Sequence, residues 1–178
     1  YNPVSTEPET TYKEGDLYSV SGVKGIVFAV SADKKHGSIL AIESITATQY
    51  KWATVKEVTG ATDTLDGAKN MAAIKTMANW ATNYPAFKYW DAKGFYIPAK
   101  NELRTIFNNY TTIKTAVEKE GGSFNFTGSS GGNSIFASTE ANQNECTRLF
   151  YSNGVVGFMA YNKVVQGSDL FILGVKKF

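Results

Sequence analysis

The sequence predicts an α+β fold, and three observations carry that reading. Strand signals fill the first third of the chain, helical spacing fills the middle, and strand signals return from residue 123. Strands segregated from helices in this way argue against alternating βαβ units. No repeat of 20 to 50 residues is present.

Taken in order, residues 1–12 hold two prolines and little apolar material, which is the composition of a linker or spacer. Residues 13–178 are left as a single domain. Residues 17–20 open the strands, and 25–30 and 38–42 flank Asp33-Lys34-Lys35-His36-Gly37 as a hairpin. Residues 50–55 read as a further short strand. Asp66 is placed to cap a helix that carries Met71, Ile74, Met77 and Ala78 on one face. Pro85 suits the first turn of another helix, with Gly94 just past its end.

Phe95-Tyr96-Ile97 favour a pleated, half-buried surface, and Pro98 ends that strand because it cannot donate to a ladder. Leu103, Ile106, Phe107 and Tyr110 then recur at i, i+3, i+4 and i+7, the stripe of an amphipathic helix. Thr111-Thr112 can cap a second short helix through Ile113 and Val117, stopped by Gly121-Gly122. After a Gly/Ser loop, strands are expected at 134–140, 147–151 and 155–161. Asn153-Gly154 between the last two is the strongest local hairpin signal in the chain. Residues 170–175 are apolar on both faces, which predicts a central strand.

Composition excludes several classes. A chain of 178 residues buries roughly 70% of its unfolded surface, so its core needs no disulfide. Cys146 is the single cysteine, and no Cys/His cluster suits zinc. Net charge is +2, Arg104 and Arg148 are the only arginines, and the lysines are scattered. A nucleic-acid footprint needs a concentrated basic patch, so that partner is not expected. No apolar run approaches the ~20 residues of a membrane span. Low charge, abundant aromatics and many Thr, Ser, Asn and Gly residues fit an exported, extracellular or outer-membrane surface domain.

Candidates for chemistry are few. His36 and Cys146 would make a dyad only with a third orienting group and a shielded pocket, and an exposed turn histidine fits better. Asp63, Asp66 and Asn70 could offer oxygens to calcium, but their spacing is not that of an EF-hand loop, and the helix cap accounts for Asp66. Glu102 reads as a helix-start carboxylate rather than a general acid. A hydrolase built on Glu102 or Glu140 with Asp63 or Asp66 lacks any recognised catalytic motif around it. No catalytic residue, cofactor or metal is expected.

Gly94-Phe95-Tyr96-Ile97-Pro98 followed by Glu102-Leu103 resembles the G-W-Y/R-L-P-x-x-x-E-L motif of the Legionella collagen-like protein C-terminal family, whose domains abound in surface proteins of gut Bacteroidota. Asp66-Gly67-Ala68-Lys69-Asn70 resembles its D-G-x-x-N helix start. Phe136-Ala137-Ser138-Thr139-Glu140 resembles its W-S-S-T/S-E segment, and Phe150-Tyr151-Ser152-Asn153-Gly154 its F-x-x-G hairpin. The pieces occur in the family's order across residues 15–178. The resemblance implies a C-type-lectin-like mixed fold, related also to the formylglycine-generating enzyme group. Small antiparallel sheets, two or three helices in the middle of the chain and pairing of the first and last strands are then expected. Ala99 replaces the small polar residue usual after the proline, so the capping box is incomplete. The E-P-N and Q-P-D triplets of calcium-dependent lectins are absent, as is the cysteine pair of the formylglycine enzyme.

The expected function is therefore non-enzymatic: a surface-exposed binding or adhesion domain for a glycan or an extracellular matrix protein, with residues 1–12 as the spacer after a lipid anchor or the joint to an upstream domain. Rings in the aromatic stretch, Tyr84 and Trp90 among them, offer stacking surfaces if exposed, though core packing competes for them. The Gly/Ser loop ending at Asn133 and the loop Asn142-Gln143-Asn144 are the expected contact surfaces. A structural subunit of a cell-surface assembly, such as a fimbrial tip, is the alternative. Residues 1–12 do not alternate apolar and polar as a donated strand would.

Overall fold

β1 (Leu17–Val20), β2 (Val23–Val30) and β3 (Gly37–Thr46) follow one another as an antiparallel meander. The two-residue turn Ser21-Gly22, with φ of 50° and 80°, folds β1 straight back on β2. The structure, a computed structural model, describes residues 10–126 and 133–178. Its further elements are the helices α1 (Gly67–Lys75), α2 (Trp80–Asn83), α3 (Pro85–Ala92), α4 (Lys100–Asn108) and α5 (Tyr110–Lys119), then the strands β4 (Ser134–Asn142), β5 (Glu145–Ser152), β6 (Val155–Asn162) and β7 (Leu170–Lys177).

The α+β class is observed, with a larger sheet than expected. Among the described residues there is one seven-stranded mixed sheet, in the order β1-β2-β3-β7-β4-β5-β6, and five helices instead of two or three. The last strand is central, as its two-sided apolar sequence predicts. The first and last strands do not pair. β1 is only four residues long and folds back on β2 at the edge, which leaves β3 beside β7. Phe178, after β7, still packs its ring on Tyr12 and Tyr18.

The stretch around Pro98 sits where the sheet forks. β4 runs parallel to β7 only at Ser134–Leu170 and Ile135–Phe171, then turns away. Tyr96 takes over the vacated edge of β7, exchanging both backbone hydrogen bonds with Val175 at 2.8 and 2.9 Å. On the other flank the Ser138 N–H donates to the Pro98 carbonyl at 2.8 Å. The strand expected at 95–97 is therefore a single bridge, because the wedge has room for one residue pair on each side.

α4 and α5 bury the predicted stripe: Leu103, Ile106, Phe107, Tyr110, Ile113 and Val117 are all buried. Phe107 packs among Tyr110, Phe124, Phe126 and Tyr151. The boundary between the two helices is Asn109, two residues before the expected threonine cap, and no side chain caps α5. α1 stops at Lys75, so Met77 and Ala78 lie beyond it, and α2 is an unforeseen single turn that begins from a left-handed Asn79. On β7, Gly174 alternates with Leu173 and Val175. A Cβ there would collide with the Trp90 indole of α3, so glycine lets that helix lie close to the sheet.

Residues 50–55 do not form a strand. Their hydrogen bonds scatter: the Trp52 indole N–H donates to the Ala137 carbonyl, Ala53 N–H to Lys163, and Thr54 N–H to Asn83. Sealing Trp52 completely inside the fold decides the path of this segment, and no neighbouring strand is in register with it.

Candidate functional site

The fold gathers three of the four sequence motifs into one polar frame. At α1, Asp66 caps the helix by accepting from Ala68 N–H. Gly67 must be glycine because a Cβ would strike the Ile97 carbonyl and crowd Glu102. Glu102 then serves two helices at once. Its Oε2 accepts from Gly67 N–H of α1 and from Ala99 N–H at the start of α4, both at 2.8 Å, and its Oε1 accepts from the Tyr96 hydroxyl at 2.9 Å. Ala99 offers no side-chain oxygen. Thr139 of β4 satisfies another free amide of the first turn, its hydroxyl accepting from Lys100 N–H at 3.0 Å. Asn70, 1% exposed, joins Asp63 to Ser138 through its carboxamide.

A second, drier knot lies where β4 ends. Lys163 and Glu140 form an ion pair at 2.5 Å with side chains 0% and 2% exposed. The same ammonium donates to the Glu57 carbonyl at 2.6 Å, and Glu140 also accepts from Thr59 N–H. Trp52 places its ring 5.4 Å from the Lys163 Nζ. Buried charge is tolerated here because each partner is paired and hydrogen-bonded.

These contacts account for the carboxylates considered for chemistry. Burial raises the Glu102 carboxyl above its ordinary range, against the lowering effect of its three donors. Asp63 is held low by the amides of Leu65 and Asp66 and by Lys69. Burial works to raise Asp66, but Lys177 and the Ala68 amide outweigh it, so it too lies below the ordinary value. Among the described residues no group of three or more His, Cys, Asp or Glu side chains converges on a common point. His36 sits in the exposed β2–β3 turn, 3.1 Å from Asp33. Cys146 is sealed in β5, where burial pushes its thiol up. β3 and β5 are three strand spacings apart, about 14 Å, too far for a dyad.

Of the recognition residues expected from sequence, Tyr84 and Trp90 are fully buried and present no ring to solvent. Tyr84 packs against Trp52 and Phe87 and donates its hydroxyl to Glu57. Trp90 lies against Gly174 and Phe95. Asn133 is partly exposed and its amide donates to the Asn125 carbonyl; the rest of the Gly/Ser loop, at 129–132, lies outside the described residues.

Asn142 and Asn144 lie together on a shallow depression of about 570 Å³, lined also by Lys56, Gln143, Glu145 and Asn162. The turn is shaped from within. Asn142 accepts from Asn144 N–H and donates to Glu145, while the Asn144 carbonyl accepts from Lys163 N–H. That last bond fixes the exposed turn to the buried ion pair beneath it. Asn162 was readable from the sequence but missed: counting the ladder back from the Asn153-Gly154 turn pairs it with Glu145. Lys56 carries no such signal, since the irregular segment after Trp52 brings it there. Carboxamides, a carboxylate and an ammonium on one shallow surface supply hydrogen-bond donors and acceptors in quantity, the chemistry that engages hydroxyl-rich or peptide ligands. Compared with known proteins, the chain matches no family model and no curated protein.

Proposed function

We propose that this chain is a non-enzymatic, surface-exposed binding or adhesion domain of C-type-lectin-like architecture, taking a glycan or an extracellular matrix protein at the Asn142–Asn144 rim. The resemblance of its four motifs to a family of exported surface domains supports the class and the location. The observation that carries the reading is the amide-lined depression, whose turn is tied through the Lys163 backbone to the buried Lys163–Glu140 pair. Loops on a rigid scaffold are where recognition is commonly built. No calcium-lectin triplet stands in the chain, so binding is expected to be independent of calcium.

A glycan-array and matrix-protein screen on the purified protein, run with and without calcium, tests this. The expected result is a ligand held equally in both conditions and lost in the double variant Asn142→Ala/Asn144→Ala. An empty screen, or a ligand that the double variant binds unchanged, overturns the assignment. A structural subunit of a surface assembly is the second reading, and the open edge of β6 is the feature that favours it.

A further inference from the structure

β6 is the outermost strand of the sheet, and its free edge carries none of the features that usually keep such an edge from pairing. Its eight residues, Val-Val-Gly-Phe-Met-Ala-Tyr-Asn, contain no charge and no proline. They pair with β5 in unbroken register from Ser152–Val155 to Glu145–Asn162, without a bulge. The opposite edge, β1, is half as long. Asn153 and Gly154, at φ of 49° and 80°, make the two-residue turn whose closing pair, Ser152–Val155, is hydrogen-bonded. Alternation from that pair turns the N–H and C=O groups of Val156, Phe158 and Ala160 away from β5. No described residue pairs with them.

Cations predominate around this edge, with Glu145 opposite Asn162 at its end. The chain has two arginines, and both lie over rings of β6: Arg104 at 5.0 Å from Phe158, and Arg148 at 4.1 Å from Tyr161. Lys100 lies 5.2 Å from Phe158. None of the three forms an ion pair among the described residues. We infer that β6 accepts an extended strand of a partner protein, one that alternates apolar residues with Asp or Glu. Outward backbone groups in alternation are satisfied together by another strand, and Lys100 and Arg104, which share the Phe158 face, select acidic side chains on that face of it. A second copy of β6 fits less well, because it brings no carboxylate and doubles the cations. The inference is independent of the Asn142–Asn144 rim.

The test uses two soluble peptides, one alternating Val and Thr with glutamates, and a twin with lysines in their place. Binding is followed by titration and by amide exchange. The acidic peptide is expected to slow exchange at Val156, Phe158 and Ala160 and to bind at least about tenfold tighter than its twin. Ala160→Pro removes one outward donor at an edge position where proline is tolerated, and should abolish binding with the fold intact. Arg104→Glu, an exposed change, should bring the two peptides to parity or reverse their order. No protection of β6, equal affinity for both peptides, unchanged binding by folded Ala160→Pro, or self-association through β6 in place of peptide binding would each overturn the inference. If Ala160→Pro does not fold, the Arg104→Glu preference alone decides.

Discussion

Asn70 and Asn144 both follow polar, Asp- or Asn-containing sequence, yet the fold uses them in opposite ways. Asn70 is sealed and bonded to Asp63 and Ser138, tying α1 to β4. Asn144 is exposed and anchored only through its backbone, so its carboxamide is left for solvent or a ligand. Glu140 and Glu145 repeat the contrast five residues apart, one in a dry ion pair and the other on the rim. Glu102, Asn70 and Ser138, from three of the sequence motifs, belong to the frame, whereas the Asn153-Gly154 hairpin motif is an exposed turn.

Substitutions should separate the two regions by size of effect. Lys163→Met leaves the Glu140 carboxylate buried without its counter-charge, and is expected to cost about 3–5 kcal/mol in a denaturant titration. Adding Glu140→Leu in the same chain should recover part of that loss; no recovery would mean the cost came from packing. Gly67→Ala forces a methyl against the Ile97 carbonyl and is expected to cost about 1–3 kcal/mol, measured the same way. Asp66→Ala, which removes one cap bond, should cost about 1 kcal/mol. On the rim, Asn142→Ala/Asn144→Ala should stay within about 0.5 kcal/mol per substitution while removing ligand binding.

The smallest effect is a pH dependence. Burial raises the Glu102 carboxyl in the folded state, so the folded protein holds that proton more tightly than the unfolded chain does. Its contribution is complete below the ordinary value of 4.5 and is lost as the pH rises through the raised folded value. Glu102→Gln lacks this contribution. The stability difference between wild type and Glu102→Gln should therefore shift in favour of the variant as the pH rises from 4.5, as read from melts across that range. A constant difference would mean that the three donors to Glu102 cancel the burial.

Much of the fold was legible because local signals and tertiary needs agree. Asn153-Gly154 makes its hairpin, Pro85 starts α3, and the stripe from Leu103 to Val117 is buried as its spacing requires. Residues 50–55 were misread because β-branched and aromatic residues score as a strand, whereas burial of Trp52 overrides that preference. The bridge at Tyr96 depends on how far β4 and β7 diverge, a distance with no local sequence signal. Tyr84 and Trp90 show the same limit for the site. An aromatic cluster has the same composition whether it faces solvent or the core, and here the close approach permitted by Gly174 puts Trp90 inside. The Asn142–Asn144 loop was legible as polar and turn-forming, but its depression needs Lys56 from a distant segment.

Native-state amide exchange under increasing denaturant tests the division between frame and rim most directly. The amides of Thr59, Gly67, Ala99 and Ser138 should exchange only through global unfolding, merging into one isotherm, while Gln143 and Asn144 exchange through local opening. Exchange of the four frame amides through separate low-energy openings would contradict the claim that Glu102, Asn70 and the Lys163–Glu140 pair hold the structure together.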